Sequence, residues 1–462
     1  MPRVAVVGGG IAGLSAADAI ARARPDVEVV LLEGAGRVGG KLRRVQVAGA
    51  WVDVGAEAML ARRPEGVAAA TEAGLEVIAP LTTSALLHSR GTNHALPART
   101  VVGVPSDLAA VRASGVLSAA ALARIEAEPA GGPYPPVTED VSVGELVGRR
   151  FGEEVVDRLV DPLLGGVYAG RARELSLQAA VPALAARLAT DGGSLLRAAA
   201  AVAGTPAPGP VFASVPGGLA RLAEQLAGSG RFEVRTGTPV RELRRTPTGF
   251  ELAVGSVPDG RQLSADAVVV AVPAGKAAVL LRELAPVAAA ELGSIETASM
   301  AIVTLAFAGL PPDALPAGSG ILVPAVEGLA VKGITFSSQK WPGVGAEGGV
   351  TLLRASLGRA GEADVLQRED AELVAVVRKE LAGIAGLTAE PVDSHVQRWG
   401  GGLPQYAVGH RQRVARILAD VQRVPGLAVC GASYSGVGIP ACIASAHTAT
   451  DRVLAALPPS GQ

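Results

Sequence analysis

The chain has 462 residues and sets 42 Lys and Arg against 43 Asp and Glu, a formal net charge of −1 at pH 7. That balance gives no electrostatic case for nucleic acid or an anionic membrane as partner. The length implies two or three domains, and 49% hydrophobic with only 3% aromatic residues means that Ala, Val and Leu fill their cores.

A mean hydropathy of +0.36 invites a membrane reading. Two long windows, 198–220 and 424–446, carry no acidic or basic side chain. The first holds Pro206, Pro208, Pro210 and Pro216, and the second is broken by glycines, Pro425 and Pro440. Neither suits a lipid-spanning helix, so no stable membrane insertion is expected. A strand is read from the third residue on, so no signal peptide is expected. The two cysteines, Cys430 and Cys442, are expected to be reduced core residues of a cytoplasmic protein.

The apolar run Val4–Val7 reads as a buried strand, and Gly8, Gly10 and Gly13 follow it as G-x-G-x-x-G. The first glycine permits the tight turn, the second lets backbone approach a pyrophosphate, and the third brings helix and strand together. Leu14, Ala17 and Ile20 continue an apolar helix face. Its N-terminus offers N–H groups and partial positive charge to phosphate. A second strand, 27–32, ends at Glu33, where a carboxylate can take a ribose 2′-OH and repel a phosphorylated one.

After Glu33 the run Arg37-Val38-Gly39-Gly40-Lys41 resembles the flavoprotein extension of this unit in the amine oxidase superfamily. Asp53-Val54-Gly55-Ala56-Glu57 resembles that superfamily's loop beside the isoalloxazine. The resemblance implies FAD. Next come Arg62 and Arg63, a bidentate carboxylate anchor or an exposed basic turn, then a helix to Gly74.

Two short strands are expected around Arg90-Gly91, and helices from Ser106. Ser142 and Glu145 form a capping box for a helix whose apolar face runs from Leu146 to Leu159 and which is expected to end near Pro162. The Pro/Gly-rich stretch 204–210 reads as a linker. Strands return at 232–236, 240–243, 250–254 and 267–272, a meander and a buried strand expected to complete the nucleotide-binding sheet. A last strand, 427–430, leads through a glycine loop to a helix reaching Leu457, whose N-terminus can face a reduced flavin.

Nearly the whole chain is similar to the oxygen-dependent porphyrinogen oxidases of haem biosynthesis. The specific blocks are Pro162-Leu163-Leu164-Gly165-Gly166-Val167-Tyr168-Ala169-Gly170 and Trp399…Pro404-Gln405-Tyr406…Gly409-His410. The resemblance implies an α/β fold in three parts. These are a Rossmann-like FAD domain (1–85, 205–280, 421–462), a mixed α+β substrate domain (86–100, 281–420) and a helical insert (101–204). It places FAD, bound non-covalently, on Gly8, Gly10, Ala12, Gly13, Glu33, Gly40, Lys41, Gly55, Ala56, Glu57, Val240, Trp399, Val437, Gly438 and Ile439. It places substrate near Leu163, Gly166 and Leu322.

The implied activity is oxidation of coproporphyrinogen III to coproporphyrin III by oxygen, with hydrogen peroxide released. Protoporphyrinogen is the alternative, and an amine oxidase or a desaturase a more distant one. Hydride leaves a meso carbon for flavin N5, so no catalytic side chain is required. The histidines show no ligand spacing, and no metal is expected. A four-propionate substrate wants cations or water at its edges. Arg62, Arg63, Lys332 and Lys340 are candidate cations, and Ser319 a polar rim. A transient contact with the next enzyme of the pathway would pass product on.

Overall fold

The computed structural model describes residues 1–191, 193–204, 209–257 and 260–459. The centre of the linker expected at 204–210 lies outside the described residues.

Five strands form one parallel sheet in the order Glu233–Arg235, Glu28–Leu32, Arg3–Val7, Ala267–Val270, Leu427–Val429. The central strand pairs Val4 with Val29 on one side and Ala267 on the other. Being covered on both faces, it is apolar at successive positions rather than at alternate ones. Val4 and Val6 enter a core with helices Ile11–Ala23, Ala220–Ala227 and Ile439–Ala456. Ala5 and Val7 enter a second core on the opposite face.

That second core holds a correction. The meander strands Val240–Thr246, Gly249–Val254 and Arg261–Ala265 do not complete the parallel sheet. They form their own antiparallel sheet and lay Leu243, Phe250, Leu252 and Leu263 over it. Only the flanking strands at 233 and 267 join the parallel one. Parallel strands need a long crossover, whereas the short turns of a meander force antiparallel neighbours.

A seven-stranded mixed sheet runs in the order Asp393–Pro404, Thr297–Ala308, Val350–Leu357, Val331–Thr335, Gly320–Leu322, Ala85–Ser89, Thr92–Ala95. Helix Asp370–Ala385 buries Leu373, Val377 and Leu381 against one face. The other face meets the hairpin Arg44–Val47/Ala50–Asp53 through Ala306 and Leu352. It therefore looks toward the glycine turns.

A third core gathers the helices between 108 and 203. Ser142 caps helix Val143–Phe151 by accepting from Glu145 N–H at 3.0 Å. The single helix expected from Ser142 to near Pro162 is instead broken at Gly152, φ +97°, and a second helical run starts at Glu153 and continues past Pro162. A π-turn over Val156–Val160 leads directly into helix Asp161–Tyr168, with Pro162 in its first turn. There its missing N–H costs little, and the wider π-turn absorbs the lost bond. Among the described residues no helix is long and apolar enough to cross a membrane.

Candidate flavin site and adjoining cleft

Two of the three glycines of the first turn, Gly8 and Gly13, are required by distance. A Cβ on Gly13 would lie 1.9 Å from Gly8 O. Gly8 has φ +111°, and a Cβ there would meet Ala271 O at 2.7 Å. A Cβ on Gly10 would meet nothing within 4 Å, so this glycine opens onto space. Gly10 is also the N-cap of helix Ile11–Ala23, with no side-chain cap and no acid in the first turn. Unspent N–H donors thus face that space.

A continuous track leads away from Gly10. Gly39 N–H donates to Gly9 O at 2.7 Å, and a Cβ on Gly40 would stand 3.2 Å from Gly10 Cα. Lys41 O accepts from Ala56 N–H at 3.1 Å. A Cβ on Gly55 would meet Lys41 O at 2.0 Å and the Trp399 ring at 3.1 Å. Trp399 Nε1 in turn donates to Val54 O at 2.9 Å. Burial lowers the pKa of Lys41, with the Cys442 thiol acting the other way. An anion beside this ammonium would fit.

The C-terminal loop closes the track. A Cβ on Gly431 would stand 3.8 Å from Ala12 Cβ. Gly438 caps helix Ile439–Ala456 without a side-chain hydrogen bond, and Val437 precedes it. Tyr406, to which the sequence assigns no role, fixes this loop. Its hydroxyl donates to Ala432 O at 2.6 Å and accepts from Gly436 N–H at 2.9 Å. Its ring stacks on His410 at 3.9 Å between centroids.

At the other end, Glu33 accepts from Gly9 N–H and Ala35 N–H, both at 2.7 Å. Each oxygen keeps a lone pair for a ribose hydroxyl. The Pro239-Val240 turn packs beside it, because Thr238 N–H donates to Glu33 O at 2.8 Å. Glu33→Ala removes two charge-assisted bonds as well as a ribose acceptor. Each is worth about 1.5–3 kcal/mol, so flavin retention and stability should fall together in fluorescence titration and thermal unfolding.

Glu57 departs from expectation. Its carboxylate is spanned by Lys340 Nζ and Arg354 Nη1, each at 2.7 Å. Burial alone would raise its pKa, but the two cations outweigh burial and hold it at about 2. Neighbouring Asp53 accepts from Leu219 N–H at 2.7 Å and Ala220 N–H at 3.3 Å, at the start of helix Ala220–Ala227. Burial pushes Asp53 up to about 7 against those bonds. Arg354 lies 297 positions from Glu57, and no local signal announces it.

Helix Asp161–Tyr168 packs beside strand Gly320–Leu322, and its last residue, Tyr168, sets its ring 5.4 Å from that of Tyr406. A Cβ on Gly166 would stand 3.9 Å from Leu322 Cδ2 and meet nothing else within 4 Å. Leu163 is half-buried on that helix, and Gly166 and Val167 are exposed.

Three expectations for substrate binding change. Ser319 Oγ donates to Ser84 O at 2.9 Å, so it binds backbone rather than presenting a free polar rim. Lys332 is 6% exposed, not a surface cation, and burial lowers it to about 7. Arg63 is paired with Glu65 at 2.6 Å, while Arg62 is exposed and makes no ion pair among the described residues.

An open glycine turn, a close-packed glycine track leading from it and two helix N-termini without side-chain caps define a dinucleotide-type oxidoreductase. Residues 11–454 match the model of the family described as flavin containing amine oxidoreductase. Coproporphyrinogen III oxidase of Mycobacterium leprae (strain TN) is 40% identical over 454 residues, 97% of this chain and 98% of that protein. The Bacillus subtilis (strain 168) protein of the same name is 31% identical, covering 98% of this chain and 97% of its own. A solved structure from Exiguobacterium sp. 255-15, named as a protoporphyrinogen oxidase, superposes with a TM-score of 0.85 at 30% identity, covering 97% of this chain and 98% of its own. The chain belongs to the flavin-containing amine oxidoreductase family and is a flavin-dependent oxidoreductase.

Proposed function

We propose that the protein oxidises coproporphyrinogen III to coproporphyrin III in haem biosynthesis, with molecular oxygen as final acceptor and hydrogen peroxide as product. The observation that carries this reading is the 40% identity to a coproporphyrinogen III oxidase, which spans 97% of this chain. The cofactor is FAD, because the Gly10 turn and Glu33 offer sites for a pyrophosphate and a ribose beyond the flavin itself. It is held non-covalently, since no cysteine lies between Trp399 and Tyr406. The division into flavin, substrate and helical parts belongs to the same proposal and is supported by their separate buried cores.

Bound flavin supplies a two-electron acceptor, so three rounds remove the six hydrogens that separate porphyrinogen from porphyrin. The chain's own residues bind and orient. Leu163, Gly166 and Leu322, two apolar side chains and a position without one, would lie against the face of a macrocycle. Lys41 and the N-terminus of helix Ile439–Ala456 place positive potential along the cofactor. Pyrrole protons leave to water, because Gly166 and Val167 are exposed.

Carboxylates at the ring edge would meet Arg62 rather than Arg63, whose guanidinium Glu65 already holds. Anchoring of that kind contributes equally to ground and transition states, so it acts on KM. Arg62→Ala should raise KM for coproporphyrinogen about fivefold to tenfold with little change in kcat, and Arg63→Ala should do less.

Protoporphyrinogen is the second reading, favoured by the name of the Exiguobacterium structure and by exposed Leu60, Phe212 and Val167. Measuring kcat/KM for both porphyrinogens side by side, with oxygen uptake and peroxide release, decides between them. A preference for protoporphyrinogen with and without detergent would overturn the assignment.

A further inference from the structure

The far end of the flavin track is electrostatically lopsided. Glu57, Lys340 and Arg354 have side chains only 13%, 16% and 8% exposed, so one buried carboxylate serves two buried cations. The nearest further acid, Asp53, is engaged by the N-terminus of helix Ala220–Ala227 and kept partly protonated by burial. Arg354 Nη2 also donates to Gly55 O at 2.8 Å, while its buried Nε donates to no partner among the described residues. Lys340 is held in place by more than its ion pair. Its ammonium lies 5.8 Å from the Phe212 ring centroid and 5.3 Å from that of Trp341.

A surplus buried cation is costly unless something negative meets it. The position of this one says what that is. Arg354 grips Gly55, Gly55 packs on Lys41 O, and Gly40 packs on Gly10. The cluster therefore lies at the Gly55 end of the track, away from the pyrophosphate turn, where the redox-active ring of a bound flavin would lie. That ring gains negative charge when it accepts two electrons.

We propose that Lys340 is a positioning residue that acts through Glu57. With Arg354 it locks the Gly55-Ala56 turn against the flavin and leaves net positive charge there, which favours the reduced cofactor. The inference rests on the flavin following this track, not on the identity of the porphyrinogen. Removing one cation leaves Arg354 and Glu57 as a neutral pair. A unit charge inside a protein changes nearby charge-forming equilibria by about tenfold or more.

The experiment uses the flavin-loaded protein without porphyrinogen. Sulfite adds to oxidised flavin and places negative charge on the ring, so its Kd reports the local potential. In Lys340→Met the sulfite Kd should rise about tenfold or more and the flavin midpoint potential should fall. Lys340→Arg should restore both, a rescue that mere side-chain bulk does not give. Lys340→Gln provides the same reading should the methionine variant lose flavin. A sulfite Kd within twofold of wild type, with an unchanged potential, overturns the proposal whatever happens to turnover. A raised KM for porphyrinogen with those flavin readouts unchanged would instead give Lys340 to a substrate carboxylate. Because no porphyrinogen enters the flavin measurements, their outcome is separate from that of the substrate assignment.

Discussion

Glu57→Gln is expected to destabilise the folded protein by about 3 kcal/mol at neutral pH. The carboxyl titrates near 2 in the fold against an ordinary 4.5. A depressed carboxyl pKa contributes stability that is fully present above about 4.5 and lost as pH falls toward 2. At about 1.4 kcal/mol per unit, the shift corresponds to roughly 3 kcal/mol. The structural argument agrees in size, because removing one partner of a buried ion pair costs about 3–5 kcal/mol. Here the variant strands both Lys340 and Arg354. The first unfolding transition, followed by flavin release in urea, should move to lower denaturant at pH 7. The gap between variant and wild type should then close as pH drops below about 4.5. Asp53 works with the opposite sign. Its carboxyl is raised to about 7, so the stability it contributes is present in acid and lost as pH rises from about 3.8 toward 7. A gap under about 1 kcal/mol, or one that does not respond to acid, would show that the Glu57 pairs are solvated.

The parts of the site that sequence makes legible are those built by local geometry. Gly8, Gly10 and Gly13 are readable because one turn needs all three, and the distances at each agree with the separate reasons for it. Glu33 is readable because it ends the second strand of the same unit. The cluster at Glu57 is a different matter. Arg354 comes from strand Val350–Leu357 of the seven-stranded sheet, and Lys340 from the short helix Ser337–Lys340 that packs on that strand. Nothing in the spacing of Lys340 or Arg354 marks them.

Lys332 misleads for a related reason. A lysine in a mixed stretch reads as solvated, yet Val331–Thr335 is an inner strand of seven and carries it inside. Pro162 reads as a stop by local rule, but the π-turn before it changes which carbonyl lacks a donor. At 240–254 the sequence offers two strands but not their sheet, and the third strand of that sheet, Arg261–Ala265, is not read from it. Strand propensity is local, while sheet membership is decided by what the faces must cover.

Gly166→Leu should separate turnover from stability more cleanly than any other change at the proposed substrate site. Gly165 and Gly166 sit in the middle of helix Asp161–Tyr168, where each glycine costs about 1 kcal/mol against alanine. Gly166 has an ordinary helical backbone, is exposed, and a Cβ on it would touch only Leu322 Cδ2 at 3.9 Å. A leucine can therefore be added without a clash, and the helix gains about 0.5–1 kcal/mol. The new side chain extends toward Leu322 of strand Gly320–Leu322. A macrocycle placed there would be pushed outward rather than deeper, because Leu164 on the same helix and Ile321 on the strand are already buried. Displacing the ring by about 1 Å from its position over the cofactor lowers rate about 100-fold. The expected variant holds wild-type flavin content, unfolds at the same or slightly higher temperature, and loses about 100-fold or more in kcat/KM for the porphyrinogen. Its flavin should still take up sulfite with wild-type affinity, since the Lys340 cluster is untouched. Wild-type kinetics in this well-folded protein would move the substrate away from Gly166 and Leu322 and leave the flavin track as it stands.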